Sequence, residues 1–220
     1  MKKFAILITS FLLVLQAAQA QTQKGDQNLG VSIGFYTNGG SYNYVNVSPG
    51  SFELTSTKST GFSANPNYSY FIAKNLDIGA SIGFGSETDN SNDHTVNAVS
   101  KLIYKSYSSS IYLRKYFLYN NKIGIRTGPY LGYQYTNSNA IYTPDNNQAN
   151  YNTNSHYYHA GLNADFVYYP SHKIGLAVNL GDLSYYHSKY GNQQISSGTD
   201  GVSLELLNNN LMLSAFYVFD

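Results

Sequence analysis

Leu76-Asp77-Ile78-Gly79-Ala80-Ser81-Ile82-Gly83-Phe84-Gly85 alternates without a miss: Leu76, Ile78, Ala80, Ile82 and Phe84 are apolar, and every residue between them is polar or tiny. Period two is the mark of a strand with one apolar face. The rhythm returns at Leu29, Val31, Ile33 and Phe35, and at Ile174, Leu176, Val178 and Leu180. Ile123, Ile125, Leu131, Tyr133 and Tyr135 share one face of a longer strand, opposite Gly124, Arg126, Gly128, Tyr130, Gly132 and Gln134. Leu162, Ala164, Phe166 and Tyr168 mark another strand, and Leu211, Leu213, Ala215, Tyr217 and Phe219 the last. Two less regular strands run through Phe62 to Phe71 and Tyr107 to Tyr116. Eight strands are expected, and no stretch after the first twenty residues has a helical period.

Alternation alone does not say which face is buried. The polar face decides it, because it carries Gly, Ser, Asn and Tyr where a water-soluble barrel carries Lys, Glu and Asp. Charged residues make up 11% of the chain, against about 25% in ordinary soluble domains. Small uncharged groups suit a narrow lumen, with the aliphatic face turned to lipid and aromatic residues at its borders. Closure is compulsory there, since an open edge leaves backbone groups unpaired in hydrocarbon. The expected fold is therefore all-β: an eight-stranded antiparallel up-and-down transmembrane β-barrel. A mean hydropathy of −0.31 excludes a bundle of membrane helices. The absence of cysteine excludes disulfide frameworks and cysteine-ligated metals. A formal charge of +1 provides no basic field for nucleic acid.

Residues 1–20 read as a cleaved signal peptide. Lys2 and Lys3 precede a short apolar stretch, and Ala18-Gln19-Ala20 gives the small-x-small cleavage pattern. Residues 21–220 then form one barrel domain. Short turns are expected at Ala73-Lys74-Asn75, Tyr119-Asn120-Asn121 and Pro170-Ser171-His172. Long connections are expected from Asn38 to Lys58, Ser86 to Ala98, Thr136 to Thr153 and His187 to Gly201. This alternation matches outer-membrane barrels, with both termini periplasmic and the long loops external. Pro129 falls mid-strand, where a bulge or a local edge is expected. Val202, Leu204 and Leu206 are even-numbered and the last strand's aliphatics odd, so one inserted residue near Asn208 keeps them on one face.

Three segments carry a family resemblance. Pro66-Asn67-Tyr68-Ser69-Tyr70-Phe71-Ile72-Ala73-Lys74-Asn75-Leu76-Asp77-Ile78-Gly79 resembles the strand–turn–strand signature of small outer-membrane β-barrel proteins common in Bacteroidetes, smaller relatives of OmpA and OmpX. Tyr112-Leu113-Arg114-Lys115-Tyr116-Phe117 is similar to the end of their fourth strand, and Asn210 to Phe219 to their C-terminal strand. The resemblance implies that Leu211, Leu213, Ala215, Tyr217 and Phe219 are read by the barrel-assembly machinery. It implies a location rather than an activity.

Parity places Arg114, Arg126 and Asp165 inside the barrel, joined by Glu205 if the chain near Asn208 is bulged. Charges in a narrow lumen must pair, so an ion-pair network filling the barrel is expected. No cofactor is implied and no enzyme is expected. None of His94, His156, His159, His172 and His187 has a serine two positions on, the pattern of barrel lipid A deacylases. His156 and His159, three apart on a strand, face opposite ways and do not share a metal ion. The Tyr-, Asn- and Ser-rich connections fit either a recognition surface for an external ligand or strands projecting past the membrane with paired tyrosines. The leading expectation is a structural or surface-interaction role. A narrow channel or carrier of small solutes is the alternative, and a lipid-modifying enzyme a more distant one.

Overall fold

The computed structural model describes residues 22–45, 52–93, 98–143, 149–191, 196–206 and 212–219. The cleavage residues Ala18 and Ala20 lie outside these, as do His94, Leu211 and Asp220. The strands are β1 (Gln27–Val45), β2 (Phe52–Ala73), β3 (Leu76–Asp93), β4 (Ala98–Tyr119), β5 (Ile123–Thr143), β6 (Ala149–Tyr168), β7 (Ile174–Gly191), β8 (Ser196–Leu206) and β9 (Met212–Phe219). All pairings are antiparallel, and β1 to β7 follow chain order around the wall. The eighth stave is divided: β9 pairs with the lower part of β7 and with β1, which closes the circuit, while β8 pairs with the upper part of β7. The fold is an up-and-down barrel of eight staves in nine strand segments.

The long connections expected from the sequence are mostly strand. The ladders continue to Val45↔Phe52, Asp93↔Ala98, Tyr142↔Ala149 and Gly191↔Ser196. β1 to β7 are 18 to 22 residues long, about twice the 9–11 that cross a bilayer. Both faces of these upper arms are polar, so period two vanishes from the sequence while the backbone pairing persists. Side chains then lock the arms together. Asn137 Nδ2 donates to Asn152 Oδ1 and Asn154 Oδ1 at 3.0 and 2.8 Å, and the Tyr135 hydroxyl to Asn154 Oδ1 at 3.0 Å.

The opposite end is tight. Asn75, Asn120 and Asn121 take positive φ of 59°, 49° and 54°, which asparagine tolerates and which short hairpins between twisted strands require. Pro129 produces no bulge. Its strand keeps register with β6 through Leu162, while the ladder to β4 lapses opposite Leu113 and Arg114 and resumes unchanged at Lys115↔Thr127. The missing N–H removes a bond on one side only, and the other side holds the register. Pro66 repeats the arrangement, paired with Val31 on β1 and silent toward β3.

A bulge does break parity within β7. Leu180 bulges from β7, where Ala164 pairs with Gly181 and Asp165 with Asn179. Among the described residues, the ladder from β7 to the other stave stops at Gly181↔Leu206 and resumes at Val178↔Leu213. The inserted residue expected near Asn208 lies outside the described residues. The aliphatics nevertheless stay on the outer face, with Leu204 and Leu213 both exposed.

The molecule is inverted relative to a soluble barrel. Ile82, Ile111, Leu131 and Leu162 are all more than half exposed on the outside. Outward aromatic rings border this band, with Tyr68, Phe117 and Tyr119 near the tight turns. Phe35 against Phe62 and Phe84 against Tyr107, at 4.9 and 5.6 Å between centroids, border its other side. The nine lysines of the described residues keep off the band: Lys24, Lys74, Lys115, Lys122 and Lys173 gather at the turns, and Lys58, Lys101, Lys105 and Lys189 on the arms.

Candidate functional site in the barrel interior

The interior is layered along the axis. At the turn end, Phe71, Tyr116, Val167, Tyr169, Ala177, Phe216 and Val218 point inward and form a buried apolar cluster. Phe71 meets Tyr116 at 5.3 Å and Tyr169 meets Phe216 edge-on at 5.5 Å. Glycines let the rings lie flat against the wall. A Cβ on Gly175 would sit 2.0 Å from the ring of Phe216, its cross-strand partner. The same pairing recurs between Tyr112 and Gly79, Tyr36 and Gly61, His159 and Gly132, and Tyr186 and Gly201. This explains an interior rich in both glycine and tyrosine. Residues 22–26 continue from β1 beside the first tight turn, with Gly25 N donating to Phe71 O and Asn75 N to Thr22 O.

Above this plug lie two ion pairs. Arg114 donates from Nη2 to Asp77 Oδ2 at 2.7 Å and from Nε to Asp77 Oδ1 at 3.1 Å. The hydroxyls of Ser69 and Tyr116 also donate to Asp77 Oδ2, at 2.7 and 2.9 Å. Asp77 is fully buried, and its carboxylate thereby ties the apolar plug to the charged layer. Arg126 Nε donates to Asp165 Oδ2 at 2.7 Å, and Asn179 Nδ2 to Asp165 Oδ1 at 3.0 Å. The guanidinium of Arg114 lies 3.9 Å over the Tyr112 ring. Bidentate geometry and extra donors are what let buried charges survive loss of water.

Of the four charges placed inside by parity, Arg126 and Asp165 face each other and Arg114 has a different partner. That partner is Asp77, which belongs to the polar face in the sequence but is absent from the expected network. Only the register Asp77↔Arg114 between β3 and β4 brings the two together. Glu205 stands a layer higher on the inner face, cross-strand from Asp182. Leu213, Ala215, Tyr217 and Phe219 lie along the outer side of β9, with Leu213 and Tyr217 exposed.

Over the ion pairs the lumen widens into a cavity of about 480 Å³. Its wall is mostly hydroxyl and amide, including Ser63, Asn65, Ser81, Ser110, Gln134 and Asn163. Tyr130 and His159 stand at its upper side, their rings edge-on at 5.3 Å. The Tyr130 hydroxyl donates to Asp182 Oδ1 at 2.9 Å. His156 takes the outer face, its Nδ1 2.9 Å from the Tyr133 hydroxyl, so the two histidines do point apart. Among the described residues no group of three His, Asp or Glu side chains is arranged to hold a metal ion.

Among the described residues, β1 pairs with β9 only as far as Gly34↔Met212. Above that point residues 35–45 pair with β2 alone, and β8 pairs with β7 alone. Phe35, Tyr36 and Met212 line the cavity beside the point where the described β1–β9 ladder ends. Outside, on the β7–β8 arm, Asp200 Oδ1 lies 2.8 Å from His187 Nδ1 and accepts from the Tyr185 hydroxyl at 2.8 Å. The His187 and Tyr185 hydrogen bonds hold the Asp200 carboxyl below the usual carboxylate range.

No protein-family profile and no curated protein sequence matches the chain. Among solved structures it is similar to the attachment invasion locus protein Ail of Yersinia pestis, with 14% identity, 90% of this chain and 100% of that chain covered, and a TM-score of 0.41. It is similar to a major outer membrane protein of Thermus thermophilus, with 14% identity, 88% and 99% covered, and a TM-score of 0.42. It is also similar to the outer membrane protein OprG of Pseudomonas aeruginosa, with 12% identity, 93% and 99% covered, and a TM-score of 0.44. Resemblance at this level transfers no residue role and no activity.

Proposed function

We propose that this chain is an outer-membrane β-barrel that anchors projecting strand arms at the cell surface and conducts nothing through its lumen. The observation that supports this reading best is the layered interior: an apolar plug and two buried ion pairs close the turn end, beneath an apolar outer band bracketed by lysines. Lysine heads at both borders and none within the band is the distribution a bilayer imposes. The turn end faces the periplasm, and the arms face outward with their Tyr-, Asn- and Ser-rich surface available to an external ligand. The outer face of β9, ending at Phe219, serves the assembly machinery. The origin among Bacteroidetes and the kinship with OmpA and OmpX belong to the same proposal.

Fractionation and heat-modifiable gel migration test the location: the protein goes with the outer membrane and runs faster unboiled than boiled. Recovery as a soluble periplasmic protein sinks the proposal. In planar bilayers the wild type shows no reproducible open level, and a steady conductance step overturns the closed-lumen reading.

A second reading, a carrier of a small solute, is favoured by one observation. The 480 Å³ cavity has a wall of hydroxyls and amides, including Ser63, Ser110 and Asn163, that suits a small polar solute. Ser63→Trp with Ser110→Trp, which fills the cavity, would then abolish solute uptake by proteoliposomes and leave heat-modifiable migration unchanged.

A further inference from the structure

Above the aromatic border, charge is sorted by face. Lys58 on β2, Lys101 and Lys105 on β4, and Lys189 on β7 all stand on the outer face and are exposed. Glu87 and Asp89 on β3 stand on the inner face by strand parity, and Asp182 on β7 and Glu205 on β8 stand on the same face lower down, level with the apolar band. Tyr36, which lines the cavity, hydrogen-bonds Glu87. Asp200 is the acid that faces outward among the described residues of this region, and it is engaged by His187 and Tyr185. None of the four lysines is in an ion pair with a described residue. Ordinary solvated surfaces intersperse the two signs. Here the chain is close to neutral, yet its arms carry a basic collar around an acidic mouth.

The heights are specific. Lys105 lies two residues beyond Tyr107, Lys58 four beyond Phe62, Lys189 four beyond Tyr185 and Lys101 six beyond Tyr107. A tilted strand climbs about 2.5 Å per residue along the barrel axis. The collar therefore spans about 5 to 15 Å above the hydrocarbon border. A phospholipid headgroup layer is only about 5–7 Å thick on each side, so the upper lysines overshoot it. A headgroup built of sugars that carry phosphates fills that depth. Between the lysines the outer face offers acceptors and rings suited to sugars, including the amide oxygen of Asn137, cross-strand from Lys105, and the ring of His156, cross-strand from Lys189.

We propose that this outer collar binds the phosphorylated headgroup of an outer-leaflet glycolipid, with Lys58, Lys101, Lys105 and Lys189 meeting its phosphates. The proposal rests on the outer-membrane reading above and names the lipid that the barrel engages.

The test folds the full mature chain into phosphatidylcholine nanodiscs and titrates in purified lipid A, reading retention by native mass spectrometry and the midpoint of heat-modifiable migration. The variant Lys58→Gln/Lys101→Gln/Lys105→Gln/Lys189→Gln is compared with a turn-end control, Lys74→Gln/Lys122→Gln/Lys173→Gln. Each lysine near an anionic surface contributes roughly fivefold in binding. The collar variant is therefore expected to bind lipid A at least about tenfold more weakly, and the control as wild type. Lipid A stripped of its phosphates should bind wild type no better than it binds the collar variant, and inorganic phosphate should compete poorly. Equal weakening in both variants, or none in the collar variant, overturns the collar while leaving the barrel intact. Failure of the wild type to show heat-modifiable migration in phosphatidylcholine overturns the barrel reading and the collar with it.

Discussion

Below Gly34 every stave is hydrogen-bonded on both edges, inward rings fill the lumen, and each buried arginine has its own carboxylate. Above Gly34 the described parts of β1 and β8 each carry a single ladder, the lumen opens into a cavity, and charges are sorted by face. One chain with one strand rhythm thus builds a tightly specified base and a loosely constrained crown. The physical difference is access to water. At the base an unpaired polar group has no substitute partner, so geometry is dictated. In the crown solvent can satisfy any group, and the surface is free to serve recognition.

The sharpest break of this contrast is at the charged layer. Replacing Arg114 with Ala leaves Asp77 buried without its partner, which should cost about 3–5 kcal/mol, read by urea titration of the protein in lipid vesicles. A loss below about 1 kcal/mol would show that water reaches the base after all. A glycine pair gives the next largest effect. Gly175→Ala drives a methyl into the Phe216 ring at the base and should destabilise by about 1–3 kcal/mol. Gly39→Ala in the crown meets nothing closer than the Thr57 carbonyl at 3.6 Å, and should be neutral or slightly stabilising. Equal costs at the two positions would remove the distinction between the halves.

Hydrogen exchange compares the halves along a single strand. Amides of β1 below Gly34 should exchange at least about tenfold more slowly than those of residues 35–45, which pair on one edge only among the described residues. Uniform protection along β1 would mean that both of its edges are paired along its whole length in solution. The smallest effect is expected at Asp200. Its carboxyl is held below the ordinary value, so its contribution is present at neutral pH and lost as pH falls through the lowered value. The group is fully exposed to solvent, so Asp200→Asn should leave the unfolding midpoint unchanged within error at any pH. A midpoint that drops only above the carboxylate range would promote this pair from surface contact to a real staple of the arm.

Much of the base is legible in the sequence. Leu76 to Gly85 and Leu29 to Tyr36 keep perfect alternation because one side meets an apolar medium and the other a crowded lumen. The inward positions of Arg126 and Asp165 follow from counting. The crown reads as loop because its two faces are both polar, which erases the pattern while Tyr, Thr and Asn still pair across strands. The Leu180 bulge does leave a trace: outward residues run even through Leu180, then odd from Leu183. The partner of Arg114 leaves no local trace.

By itself, then, the sequence determined the element type, the number of staves and which side chains face inward, because period two is a property of each strand alone. The tertiary structure decided which inward groups meet: Arg114 with Asp77, Phe216 over Gly175, Glu205 beside Asp182. It also decided that the last stave pairs with β7 in two separate stretches, β8 above and β9 below. Those outcomes depend on register between strands far apart in the chain, and register is set by the closed circuit of ladders rather than by any one segment.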